Sequence, residues 1–289
     1  MDTTLKVREA LIYAESEDGL DLTGIMIEAT EARSKPASTM ILWIHGNTGN
    51  FYDYPYIMIG RSLAAQGYRF LSLNTRGHDL AAFSWNIKTE QRATIGSAWE
   101  KLEEAPQDIA GWIAAAQEQG AEQIILVGHS QGASKAVCYQ ATRNDSRVKG
   151  IVLASPDLHG HWTADFVAEA RKLVESGRGD ELMPPLMNTP VYRLSATNVV
   201  SRDEMLKAAY HVESSHLAKM RCPLLVLFGA SGDIGGTQEL ESIKKRAAQT
   251  HVTTALIPNA DHVYFGQHEA VAQLIAGWIE TKVNRDTGA

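Results

Sequence analysis

Six short, continuous apolar runs constrain this chain of 289 residues more than any other feature. Residues 40–45, 69–73, 123–127, 150–154, 223–228 and 253–257 are rich in Ile, Leu and Val, and each is followed at once by Gly, Asn, Ser or Pro. A strand without polar alternation is buried on both faces, which is the mark of a mainly parallel sheet. Amphipathic stretches lie between the runs, at residues 54–66, 106–119, 131–142, 237–248 and 267–282. In the second, Pro106 sits at a plausible first helical position and Ile109, Trp112, Ile113 and Ala116 fall on one stripe. Upstream, residues 5–13 and 20–28 flank Ser16-Glu17-Asp18-Gly19, the pattern of an antiparallel hairpin. The reading is an α/β fold: a mostly parallel sheet of eight strands with helices on both faces, and function at the carboxyl ends of the strands.

One stretch breaks the alternation. Residues 159–221 offer no good buried strand, but they carry two helical patterns separated by Gly177-Arg178-Gly179 and Pro184-Pro185. In residues 162–176 the apolar positions Phe166, Ala170, Leu173 and Val174 recur at helical spacing. Over residues 201–212, Ser201 with Glu204 reads as a capping box opening a helix whose apolar face is Met205, Ala208, Ala209 and Val212. The simplest account is a helical cap at residues 159–221, inserted after the sixth strand into a core formed by residues 1–158 and 222–289. The core is then about 230 residues, within the range of one α/β domain.

Composition narrows the function. Lys plus Arg number 27 against 34 Asp plus Glu, a net charge of −7, with no local basic cluster to attract a phosphate backbone. Nucleic acid is excluded as a partner, and the charge adds a mild bias against highly anionic substrates. The charged residues 1–10 lack the apolar run of a signal peptide, and no 18-residue apolar stretch occurs, so the expectation is a cytoplasmic protein without a membrane partner. Cys138 and Cys222 belong to no metal-binding spacing and read as buried thiols. The segment Asp157-Leu158-His159-Gly160-His161 alternates ligand types but offers no third and fourth ligand at a standard spacing. No metal and no cofactor is implied; the partner is a small-molecule substrate, with a homodimer left open.

The chemistry is carried by Gly128-His129-Ser130-Gln131-Gly132, the single Gly-x-Ser-x-Gly of the chain, with a buried strand running in and a helix running out. That context is a nucleophile elbow, in which the serine occupies a strained turn and side chains at the flanking glycines would collide with neighbouring backbone. A serine hydroxyl needs a base, an orienting carboxylate and donors for the developing oxyanion. Asp233 follows the strand at 223–228, and His262 follows the strand at 253–257, so Ser130, Asp233 and His262 stand in the order nucleophile, acid, base. Asp157 and Asp261 are rivals for the acid; Asp261 adjoins the base in sequence and reads better as a loop or capping residue.

These residues resemble the α/β-hydrolase family over most of the chain. Gly128 to Gly132 match its nucleophile elbow, Gly229 to Asp233 its acid loop and Asp261-His262 its base loop. His45-Gly46-Asn47 is similar to its His-Gly-x oxyanion loop, and the resemblance implies that the backbone N–H groups of Asn47 and Gln131 form the oxyanion hole. Thr75-Arg76-Gly77-His78 resembles a further family segment, with Asn74 where Asp is usual. A cap after the sixth strand is also a family habit. The resemblance implies an α/β-hydrolase fold and a serine esterase acting through an acyl-enzyme intermediate.

For specificity, the candidates are Phe51, His129, His161, Trp162 and Phe166, with Met183, Leu186, Met187 and Tyr192 also in the cap. A mixed apolar and aromatic pocket suggests a small to medium ester, lactone or thioester. Two alternatives remain open on sequence. One is a carbon–carbon bond hydrolase using Arg193 or Arg202 as a basic pocket residue. The other is a ligand-binding member with little turnover.

Overall fold

In the computed structural model, which describes residues 7–30, 38–186, 189–232 and 234–283, the apolar runs form the central strands of one sheet. Asp233, Met187 and the first two residues of the expected strand at 5–13 lie outside the described residues. The strands are β1 (Val7–Glu15), β2 (Asp21–Ala29), β3 (Thr39–Ile44), β4 (Arg69–Leu73), β5 (Ala82–Asn86), β6 (Gln91–Ile95), β7 (Gln123–His129), β8 (Val148–Ala154), β9 (Leu224–Gly229) and β10 (Val252–Ile257). Eight of them make the main sheet in the order β1-β2-β4-β3-β7-β8-β9-β10, antiparallel at β1-β2 and β2-β4 and parallel from β4 onward. Every residue of β3 and β9 is buried, as their unbroken apolar character requires. β10 closes one edge and is mostly half-buried, which explains why its run contains Thr253 and Thr254.

Among the described residues, seven α-helices accompany the strands: α1 (Tyr54–Ala65), α2 (Ala105–Glu118), α3 (Gln131–Arg143), α4 (Ala164–Glu175), α5 (Ala196–Leu206), α6 (Thr237–Arg246) and α7 (His268–Trp278). Alternate residues of the buried strands serve opposite layers. Met40, Leu42 and Ile44 of β3 join Ile109 and Trp112 of α2, Val137 of α3 and Ile243 of α6 on one side. Ile41 and Trp43 join Ile59 and Leu63 of α1 and Val271, Ile275 and Trp278 of α7 on the other. Each such large side chain, fully buried, contributes about 1.5–3 kcal/mol.

The pair β5 and β6 forms a separate antiparallel ribbon that the apolar pattern does not predict. Its large residues point outward, Phe83 and Trp85 being 59% and 52% exposed, so the alternation that normally marks a buried face is inverted. Arg92 covers Phe83, its guanidinium 3.8 Å from the ring centre.

Between β8 and β9 the chain leaves the sheet and forms α4 and α5, which share a small core of Val167, Ala170, Met183, Leu194 and Val199. The expected capping box at Ser201 is not observed. The N-cap lies six residues earlier, at Ser195, whose Oγ accepts from Asn198 N–H at 3.1 Å. Ser201 instead lies inside the helix, and its Oγ accepts from Leu102 N–H at 2.7 Å. A tertiary partner thus uses the hydroxyl that local pattern assigned to a cap.

The hairpin turn is tied to α2 by charge and by close approach. Arg76, buried behind β4, bonds Asp108 at 2.7 Å, Glu104 at 2.7 Å and Asp18 at 2.8 Å. Gly111 of α2 faces the end of β1 so closely that a Cβ would collide with the backbone carbonyl of Glu15. Backbone on both sides cannot give way as a flexible side chain would. We expect Gly111→Ala to lower stability by about 1–3 kcal/mol through this overpacking, despite the better helix propensity of alanine. A urea midpoint equal to or above the wild-type value would contradict that account.

Candidate active site

Strand β7 runs into Ser130, and α3 starts at the next residue. Ser130 has φ 53° and ψ −120°, a conformation that costs a non-glycine residue about 1–3 kcal/mol and persists only where its surroundings enforce it. The surroundings here are other backbones. A Cβ on Gly128 would strike the Gly132 carbonyl, and one on Gly132 would strike the Ile44 and His45 carbonyls at the end of β3. Ser130 N–H donates to the last carbonyl of β8, Ala154, at 2.8 Å. The serine is half-buried, and α3 leaves the first amides of its N-terminus, beginning with Gln131, without intrahelical acceptors.

The loop after β3 closes over this turn, since a Cβ on Gly46 would lie 3.0 Å from Ser130 Cβ. Its conformation is set from below by a buried donor chain. Lys135 Nζ, on α3, pairs with Glu100 at 2.5 Å and donates to Thr75 Oγ1 at 2.9 Å. Thr75 N–H donates to His45 Nε2 at 3.1 Å, and the Thr75 hydroxyl, already accepting from lysine, lies 3.0 Å from the same nitrogen. Nε2 is therefore unprotonated, and Nδ1–H donates to the Gly46 carbonyl at 2.7 Å. Burial, and after it the Lys135 charge, holds the His45 pKa well below the ordinary imidazole value, which preserves this tautomer.

His262 follows β10 and lies directly over His129, with ring centres 4.9 Å apart. The His262 carbonyl accepts from His129 Nε2–H at 2.9 Å, and His129 Nδ1 accepts the Tyr56 hydroxyl proton at 2.8 Å. Burial, with the neighbouring His262 adding to it, pushes the His129 pKa down to about 3. The loop after β9 packs against the same segment: Ser231 N–H donates to Ala260 O at 2.8 Å, and a Cβ on Gly232 would lie 3.4 Å from His262 N. Asp233, next in sequence, is outside the described residues. Its rivals are engaged elsewhere. Asp261 Oδ1 accepts from Val263 and Phe265 N–H, a loop cap, and Asp157 Oδ1 accepts from His159 and Gly160 N–H.

The chain belongs to the alpha/beta hydrolase family. The model of that family matches residues 41–274, which span the elbow, both downstream loops and the intervening segment. A proline iminopeptidase from Saccharolobus solfataricus is 25% identical over 198 residues, 68% of this chain and 56% of that protein. The chain thus spans about half the length of this curated relative. Among solved structures, Est1E from Butyrivibrio proteoclasticus superposes with a TM-score of 0.65 at 16% identity, covering 95% of this chain and 99% of that one. The esterase Pf2001 of Pyrococcus furiosus gives a TM-score of 0.62 at 14% identity, covering 98% and 96%. These two likenesses show the shared fold.

Within this alpha/beta hydrolase, the expected specificity residues divide. His129 is corrected: it is 2% exposed with both ring nitrogens bonded to protein, so it supports His262 rather than facing a ligand. Phe166 is half-buried and packs against the small core shared by α4 and α5. His161 is exposed at the surface, with Nε2 3.6 Å from Asp157. Phe51 stacks edge-on with Tyr52 at 5.1 Å, while its N–H bonds Asn74 Oδ1 at 2.8 Å, so Asn74 acts in the loop structure. Trp162 touches both the sheet core and the inserted core, and Arg202 lies over its ring at 5.0 Å. Arg193 is occupied locally, its Nε donating to Met183 O at 3.0 Å.

What the pattern missed is a polar stripe on α5. Ser195 N–H donates to Ala98 O at 2.7 Å, Asn198 Nδ2 to Glu100 O at 2.6 Å, and Ser201 takes the Leu102 amide. Arg202 Nη1 then reaches Asn47 Oδ1 and Tyr192 Oη, both at 3.1 Å, and Asn47 Nδ2 donates to Tyr192 Oη. Buried polar residues recurring at about helical spacing were the available signal. No helix among the described residues is long and apolar enough to cross a membrane.

Two measurements test this support structure. Lys135→Met strands Glu100 in the interior and should cost about 3–5 kcal/mol, with Lys135→Met/Glu100→Gln recovering part of the loss in chemical denaturation. Equal stability of the single and double variants would show that the pair carries no charge coupling. Histidines whose folded pKa is depressed bind no proton where the unfolded chain does. Stability should therefore be fully retained above pH 6.5 and fall below it, by about 1.4 kcal/mol per pH unit for His129 until its folded pKa near 3. His129→Gln should flatten that slope relative to the wild type; an unchanged slope would remove His129 as its source.

Proposed function

We propose that the protein is a serine hydrolase that cleaves small to medium carboxylic esters, lactones or thioesters through an acyl-enzyme intermediate. The observation that carries this reading is the strained Ser130 at the start of α3, flanked by the Gly46 loop and the His262 loop. In the proposed reaction His262 takes the Ser130 proton as the hydroxyl attacks the carbonyl carbon. The C–O or C–S bond of the tetrahedral intermediate then breaks, and His262 returns the proton to the leaving group. Asp233 is assigned the role of holding the imidazole and stabilising its charged form. Its support is its place one residue after Gly232, whose backbone approaches His262.

The backbone N–H groups of Asn47 and Gln131 are assigned to the oxyanion. Asn47 N–H donates to no described residue, and Gln131 N–H opens α3, where the helix dipole favours negative charge. One such donor is worth roughly 3 kcal/mol at the transition state. Water activated by His262 releases the acid in the second half. The Pyrococcus furiosus relative is named an esterase, which supports ester cleavage, while the iminopeptidase relative marks amide cleavage as the bond type to compare. The segment at residues 159–221 is read as a cap, its Tyr192 and Arg202 resting on Asn47 of the oxyanion loop.

The decisive experiment combines a fluorophosphonate label with a panel of p-nitrophenyl esters. Wild-type protein should label at Ser130, and Ser130→Ala should lose label and at least about a thousandfold in kcat/KM. Activity should decline for acyl chains beyond about ten carbons, as a pocket of limited size requires. An unlabelled Ser130, or ester turnover that survives Ser130→Ala, would sink the reading.

A further inference from the structure

The geometry points to an anion-binding subsite at the Arg202 guanidinium and Tyr192 hydroxyl, selecting esters that bear a second, carboxylate group; this rests on the ester-hydrolase reading.

A cation taken out of water needs a counter-charge, and the other deeply buried Arg and Lys among the described residues have one. Arg76 holds three carboxylates, and Lys135 holds Glu100. Arg202 is as buried as Arg76, at 4% exposed, yet pairs with no carboxylate among the described residues. Its sequence neighbours on α5 are committed elsewhere, since Asp203 bonds Arg171 and Lys207 and Glu204 bonds Arg171. Among the described residues its partners are all neutral: Asn47 Oδ1, Tyr192 Oη and the Trp162 ring.

The hydrogen-bond directions leave donors and no acceptor. Guanidinium only donates, so the Asn47 atom facing it is Oδ1, and the Asn47 amide group is turned to Tyr192. Tyr192 Oη accepts from both Asn47 and Arg202, which leaves its own O–H with no acceptor among the described residues. Arg202 Nε and Nη2 likewise donate to no described residue, and neither is among the sealed atoms lacking a partner. The open edge formed by Nε and Nη2 is the face of the fork that matches the two oxygens of a carboxylate. Asn47 links this cluster to the loop that lies over Ser130, and on that link the proposal assigns the anion and the ester to one ligand. The local cation outweighs the bias of the −7 net charge, because it sits where the chain has withheld its own carboxylates.

Two matched ester pairs test the subsite and separate the two arms of the substrate. The first pair is p-nitrophenyl hexanoate and the mono-p-nitrophenyl ester of hexanedioic acid. The second is phenyl hexanoate and 4-carboxyphenyl hexanoate. In one pair or both, wild-type protein should favour the carboxylate ester at least about tenfold in kcat/KM, chiefly through KM, as a charge-assisted bidentate contact would give. Arg202→Gln should collapse that ratio to near one, and Arg202→Lys, which keeps the charge but not the fork, should fall between. No preference in either pair, or a preference that survives Arg202→Gln, overturns the inference.

A readout without turnover keeps it apart from the function itself. Calorimetry on Ser130→Ala with monomethyl hexanedioate and methyl hexanoate should show at least about tenfold tighter binding of the charged ester, lost when Arg202→Gln is added. If no ester is cleaved but this difference holds, the ester reading fails and the subsite stands. If both esters are cleaved alike and bind alike, the ester reading stands and the subsite falls.

Discussion

The backbone of Ser130 cannot hold φ 53° by its own preference, and much of the site's architecture is what makes that angle tolerable. Three neighbouring backbones press on the turn: the carbonyls at the end of β3, the first turn of α3 and the last carbonyl of β8. Each approach depends on a missing side chain or on a sheet register that brings strand ends level. β7 lies between β3 and β8 in the sheet, so its carboxyl end is enclosed on both sides while the turn itself points out. The same requirement recurs at Gly229, where a Cβ would collide with the Ala260 and Asp261 carbonyls and force the two downstream loops apart.

Around this turn the interior is unusually polar, and its parts are arranged in chains rather than isolated pairs. Glu100, Lys135, Thr75 and His45 form one chain that ends on the Gly46 carbonyl. Tyr56, His129 and the His262 carbonyl form another. Each chain fixes a histidine tautomer, because a backbone N–H at one end or a carbonyl at the other permits one direction of donation. Rotation of either ring would leave a buried donor unsatisfied, at about 1–3 kcal/mol. The inserted segment is held in the same way, through the polar stripe of α5 rather than through apolar contact alone.

The sheet, its helices and the elbow were legible because their signals are local. An unbroken apolar run means a strand buried on both faces, and a glycine on either side of Ser130 means backbone within contact distance. The ribbon of β5 and β6 was not legible, since Phe83 and Trp85 face outward and reverse the usual pattern. The start of α5 was misplaced because Ser201 with Glu204 satisfies the capping rule as well as Ser195 does, and Leu102, far away in sequence, takes the Ser201 hydroxyl. His129 reads as a pocket residue for a similar reason: adjacency to the nucleophile says nothing about the direction of a side chain.

By itself the sequence determined the α/β architecture, the place of the strained serine and the order of the residues that follow it, since these depend on periodicity, chain direction and the steric needs of single positions. Only the tertiary structure decided which polar side chains are spent on the protein and which remain open to a ligand. Arg76 and Arg202 look alike in the sequence, each an arginine with acidic residues nearby. Folding surrounds the first with Asp18, Glu104 and Asp108 and brings the second to Asn47 and Tyr192, because the energy of a buried charge is set by what packs around it, not by its neighbours in the chain.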